Sequence, residues 1–126
     1  MFIGKKATPN QGEVFVAIIK SIILETADWR ENVAQKRYPN DRRNSAAAGI
    51  LFALANGPSP ELPAETVAKL AECRNSLTRL TMDAARTVGF RVRPIGLAEF
   101  ISLILALAAD EAAEIERVFS GVEAGR

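Results

Sequence analysis

Gly96-Leu97-Ala98-Glu99-Phe100-Ile101-Ser102-Leu103-Ile104-Leu105-Ala106-Leu107-Ala108-Ala109 is a run of fourteen residues with a single charge. Read with helical periodicity, Leu97, Phe100, Ile101, Ile104, Ala108, Ile115, Val118 and Phe119 fall on one face. Leu103, Leu105 and Leu107 widen that face past half the circumference. Glu99, Ser102, Ala106, Ala113 and Arg117 leave only a narrow polar or small-residue strip. A helix apolar on most sides has to be covered on most sides. The run is shorter than the roughly 18 to 20 residues of a membrane span and Glu99 opens it. It is therefore read as a core helix over about 97–120, with Glu99 in the first turn where a negative charge suits the helix dipole.

Upstream of this helix, Phe90-Arg91-Val92-Arg93 alternates and predicts a short extended loop near 90–93 that ends at Pro94. Before it, Leu70, Cys73, Leu77, Leu80, Ala84 and Val88 recur at helical spacing opposite Glu72, Asn75, Arg79, Asp83 and Arg86, which predicts a third helix over about 64–88. Gly89 then reads as a glycine stop. Pro58-Ser59-Pro60-Glu61-Leu62-Pro63 reads as a rigid turn. A second helix over about 41–55 takes Asn40 or Asp41 as its cap and Asn56-Gly57 as its left-handed stop. Its centre, Ala46-Ala47-Ala48-Gly49, predicts a tight crossing where another backbone comes close, with Gly49 kept for packing. The first helix, about 13–37, carries Phe15, Ile18, Ile19, Ile22, Ile23, Thr26, Trp29 and Val33 on one face and ends before Pro39.

The fold expected is all-α: a four-helix bundle-like single domain over 13–121, with a flexible arm at 1–12 and a tail at 122–126. At 126 residues the chain is long enough to bury a core without metal or disulfide staples. Lys5 and Lys6 precede an apolar stretch, but Lys20 interrupts it and no small-residue cleavage pattern comes after it, so a cytoplasmic protein without a membrane segment is expected.

Composition narrows the chemistry. There is no histidine and one cysteine, which removes His- and Cys-based zinc sites and every nucleophile activated by an imidazole. The net charge of +1 is unevenly spread: 0 over residues 1–29, +5 over 30–95 and −4 over 96–126. Three function classes remain. The first is a non-enzymatic protein-interaction module without a cofactor. The first and fourth helices offer more apolar surface than two shorter amphipaths cover, which predicts a homodimer or a protein partner. Trp29, Leu103 and Leu107 sit at the edges of those faces and are the expected interface residues.

The second class is a nucleic-acid-associated regulator using Lys36, Arg37, Arg42 and Arg43, with Tyr38 interleaved. The near-neutral total charge argues against it. The third is a magnesium-dependent all-α phosphate hydrolase. It would need Asp110, Glu111 and Glu114 to face a second carboxylate pair, Asp28 with Glu31 or Glu61 with Glu65. No catalytic residue or metal ligand is assigned. Cys73 lies on the apolar face of the third helix and reads as a small core hydrophobe.

Overall fold

A computed structural model of the chain describes residues 10–89 and 95–124, and among them there are helices and no strands. Asn10 begins the first helix as its cap, since its Oδ1 accepts the Glu13 N–H at 2.8 Å and its amide donates to the Glu13 carboxylate. Helix α1 runs Gln11–Trp29, passes through a π turn at Arg30–Ala34 and closes with an α-helical turn at Gln35–Arg37. Tyr38 caps it ahead of Pro39, as expected. Helix α2 spans Arg43–Ala55, α3 Ala64–Glu72, α4 Leu77–Val88 and α5 Leu97–Ala124. The expected loop at 90–93 and residues 1–9 of the expected arm lie outside the described residues, while Gln11 and Gly12 are already helical.

One predicted helix is two. The 64–88 segment breaks at Arg74–Ser76, a single 3₁₀ turn closed by the Ser76 N–H donating to the Cys73 carbonyl at 2.9 Å. Asn75 and Ser76 are weak helix formers, and their side chains compete for backbone groups. The amphipathic spacing survives the break, which is why periodicity alone does not reveal it.

Helix α1 is the axis of the fold and packs against α2 and α4, with α5 packing in turn on α4. Side-chain bonds set the directions. Arg30 near the end of α1 meets Asn44 at the start of α2, and Lys20 midway along α1 reaches Ser59 just past its end, so α1 and α2 are antiparallel. A Cβ placed on Gly89, just past α4, would stand 3.2 Å from Ala47 near the start of α2, which Arg30 meets through Asn44, so the end of α4 lies beside the end of α1. Arg79 at the start of α4 holds Glu111 far along α5, so α5 runs back toward the α1 N-terminus.

Phe15, Ile19 and Ile23 of α1, Leu51 of α2, Leu70 of α3, Leu80 and Val88 of α4 and Phe100 and Ile104 of α5 belong to one buried cluster. The buried face of α1 lies about one residue away from the expected one. Ile18, Trp29 and Val33 are exposed, and Val16, Ala27 and Ala34 take the interior instead. The π turn contributes to this. Its wider loop, closed by the Gln35 N–H on the Arg30 carbonyl, rotates the next turn of the helix by about one position and turns Gln35 inward and Val33 outward.

The glycines also differ from expectation. No described residue has positive φ, so neither Gly57 nor Gly89 is a left-handed stop. Gly89 serves a close approach instead: a Cβ there would stand 3.2 Å from the Ala47 Cβ and 3.6 Å from the Leu51 Cδ1. The small-residue crossing at Ala46–Ala48 is therefore real and uses Ala47, with Gly89 as its counterpart. Gly49 faces outward, with nothing within 4 Å of a Cβ placed on it. Gly49→Ala should raise the unfolding free energy by about 0.5–1 kcal/mol through helix propensity. A urea midpoint unchanged or lowered in Gly49→Ala would show that this position is not open.

Helix α5 has two unlike halves. Leu97, Phe100, Ile101 and Ile104 are buried, and Leu103, Leu105, Leu107 and Ala108 are partly buried against the core. From Ala112 to Gly121 every residue is exposed, including Ile115 at 54%, Val118 at 56% and Phe119 at 66%. Length explains the difference. Helix α4 has 12 residues and α5 has 28, about 18 Å against 42 Å, so α5 outruns its support. No helix among the described residues is long and apolar enough to cross a membrane.

Candidate functional site

Two surfaces at opposite ends of the bundle stand out. The first surrounds the end of α1. Here Glu31 and Gln35 face the start of α2, where the Ser45 hydroxyl donates to Glu31 Oε2 and the Ser45 N–H donates to Gln35 Oε1, both at 2.8 Å. The Gln35 amide in turn donates to the Tyr38 carbonyl at 3.3 Å. Gln35 thus caps α2 from ten residues upstream. The expected cap at Asp41 is half of the arrangement: Arg42 is the cap residue by geometry, and Asp41 Oδ1 accepts the Arg43 N–H at 3.1 Å.

On this scaffold Trp29, Val33 and Tyr38 are exposed together with Lys36, Arg37 and Arg42. The Arg30 guanidinium lies 5.8 Å from the Trp29 ring centroid and donates to Asn44 at 2.7 Å, which fixes one rim of the patch. Arg43 is committed elsewhere, its guanidinium bound to the Asp41 carboxylate at 2.6 Å. Of the four basic residues read as phosphate contacts, Lys36, Arg37 and Arg42 stand out from the surface without such a tie to Asp41, and Arg43 does not.

The Arg43 guanidinium, together with the Arg43 N–H, holds the Asp41 carboxyl at about 2, below its ordinary 3.8. A depressed carboxylate contributes stability above its unfolded value and loses it as pH falls toward the folded one. Asp41 should therefore titrate near pH 2 by NMR, and amide protection at the start of α2 should weaken between about pH 4 and 2. In Arg43→Ala the Asp41 midpoint should return toward 3.8. An Asp41 midpoint near 3.8 in the wild-type chain would show that the pair does not form.

The second surface is the projecting half of α5. Ile115, Val118 and Phe119 continue the stripe that Phe100, Ile101 and Ile104 bury further up the helix. Asp110, Glu111, Glu114 and Glu116 surround it, with Arg117 paired to Glu114. Of the expected interface residues, the structure exposes Trp29 at 47% and leaves Leu103 and Leu107 half-buried against the core. The apolar surplus lies on the first and last helices, but on α5 it sits about ten residues further along than expected. The spacing of Ile115, Val118 and Phe119 carries that signal. The short length of α4, which decides the matter, is not readable from the stripe itself.

The remaining candidates are not assembled into a site. Glu31 is bonded to Ser45, Glu111 to Arg79 and Glu114 to Arg117. Asp28 and Glu31 lie at the opposite end of the bundle from Asp110, Glu111 and Glu114, and among the described residues, Glu61 and Glu65 included, no group of three potential ligands converges. Cys73 is half-buried, donates to the Leu70 carbonyl at 3.5 Å and is pushed up by burial, which makes its thiolate scarce. An open groove of about 930 Å³ lies between the first turns of α1 and the 59–64 connection, lined by Val16, Ala17, Leu62 and Val67. Of its polar members, Lys20 bonds Ser59 and Asn10 bonds Glu13.

No protein-family model, no curated protein and no solved structure matches this chain.

Proposed function

We propose that the chain is a non-enzymatic, cytoplasmic protein-interaction module that associates with itself. The observation that carries this is the projecting half of α5, where Ile115, Val118 and Phe119 are each more than half exposed on one stripe. Isolated exposed apolar residues are ordinary, whereas a contiguous amphipathic face without cover marks an interaction surface. Its acidic border is unsuited to anionic lipid or nucleic acid and suits a protein surface with basic residues. The test is molar mass by light scattering across a wide concentration range. A mass that rises above the 13.6 kDa monomer supports the reading, and a monomer at every concentration overturns self-association.

A second reading, contact with nucleic acid at the α1 end, is favoured by the exposure of Lys36, Arg37 and Arg42 around Tyr38. Phosphate contacts release counterions, so this reading requires binding to a single-stranded oligonucleotide that weakens steeply with salt. Apolar self-association depends on salt far less.

A further inference from the structure

We infer that the projecting half of α5 docks on the Trp29–Tyr38 end of a second copy of this chain, an assignment that rests on the self-association reading and specifies its two faces. Charge selects the pairing. Over residues 110–121 there are four acidic groups, of which Glu111 is held by Arg79 and Glu114 by Arg117, which leaves Asp110 and Glu116 without a counter-charge in the pairs described. Two such helices brought face to face would set like charges together at short range, which is unfavourable. The exposed apolar residues at the other end, Trp29, Val33 and Tyr38, are instead accompanied by exposed Lys36, Arg37 and Arg42, which outnumber Asp28 and Glu31, the first bonded to Asn32 and the second to Ser45. An apolar stripe with an acidic border meets an apolar patch with a basic border, and both the buried centre and the polar rim are matched.

The two faces do not meet within one chain. Arg79 marks the level of Glu111, and Gly89, against Ala47 near the start of α2, marks the end of α1, where Arg30 meets Asn44. Ten residues separate those levels along α4, about 15 Å, and Phe119 lies eight residues beyond Glu111 in the opposite direction, about 12 Å more. Roughly 25 Å along the bundle therefore separates Phe119 from the end of α1, and α5 runs away from the patch. The contact forms only between copies. Because the two faces differ, the contact either closes reciprocally in a two-fold dimer or continues head to tail from copy to copy.

This asymmetry supplies a complementation test. One variant carries Ile115→Asp with Phe119→Asp and loses the α5 face; the other carries Trp29→Ser with Arg37→Glu and loses the α1 face. All four positions are exposed, so both variants should keep the wild-type circular dichroism and urea midpoint. Each variant alone should run as a monomer in light scattering at concentrations where the wild-type chain associates. Mixed one to one, they should form a pair with twice the monomer mass, because one intact face remains on each and a single contact caps the assembly.

If the Trp29→Ser, Arg37→Glu variant still associates alone, the α5 face pairs with something other than that end, and the inference fails. If the Ile115→Asp, Phe119→Asp variant still associates, the interface lies elsewhere and the inference fails while self-association stands. Two monomers in the mixture also overturn it. A wild-type chain that is monomeric throughout overturns both readings.

Discussion

Phe100→Ala should lower the unfolding free energy by about 3–5 kcal/mol, and the chemically identical Phe119→Ala by no more than about 0.5 kcal/mol. The two phenylalanines lie on one stripe of one helix, nineteen residues apart, and differ only in what covers them. Phe100 is fully buried in the cluster that α1, α2 and α4 build. Removing its ring forfeits the transfer free energy of the ring atoms and leaves a cavity that rigid neighbours do not close. Phe119 is two-thirds exposed, so its ring has little to lose. Against a total stability of roughly 5–15 kcal/mol, the first change threatens the fold and the second leaves it intact. Urea unfolding at low protein concentration, where association does not contribute, decides the matter. Equal losses in the two variants would mean that the far half of α5 packs against the bundle, and the interaction surface would lose its basis.

Gln35→Met should cost about 2 kcal/mol, more than a surface substitution and more than its polar character suggests. The side chain is buried, and both ends of its amide are used, Oε1 by the Ser45 N–H and Nε2 by the Tyr38 carbonyl. Methionine keeps the volume and removes both bonds, leaving the Ser45 N–H in the first turn of α2 without this partner, while the Tyr38 carbonyl keeps the Asp41 N–H at 3.0 Å. The loss should be local as well as global. Amide exchange should accelerate first at Ser45 and its neighbours, before the core of α1 opens. A Gln35→Met chain with wild-type stability and wild-type exchange at Ser45 would show that the cap is made by Asp41 alone.

Much of the fold is legible in order along the chain. The helical spacing from Leu97, the Tyr38-Pro39 stop and the proline-rich turn at 58–63 place the main helices within a few residues, because each is a local signal read from neighbours on one face or at one boundary. The 3₁₀ break at Arg74–Ser76 is not legible, because it interrupts backbone bonding without disturbing the apolar spacing on either side. Gly49 and Gly89 exchange roles for a different reason. Whether a glycine is kept for close approach depends on which helix crosses it, and of these two Gly89 meets a neighbour, Ala47, and Gly49 does not. The candidate site is legible in kind but not in place. Trp29 and the basic residues after Val33 are marked by sequence, whereas the uncovered part of α5 is expected at Leu103 and Leu107 and found at Ile115, Val118 and Phe119.

By itself, the sequence determined the all-α class, the main helical segments, the apolar stripe of α5, the exclusion of histidine-dependent chemistry and the separation of a basic middle from an acidic end. Those properties arise from residue type and spacing, which act over a few residues. Tertiary structure alone decided which stretch of that stripe is covered, that Gln35 caps a helix ten residues away, and that the acidic and basic faces stand at opposite ends. These depend on helix lengths and directions relative to one another. A stripe is core where a partner helix runs beside it and surface where that partner ends, and α4 ends first.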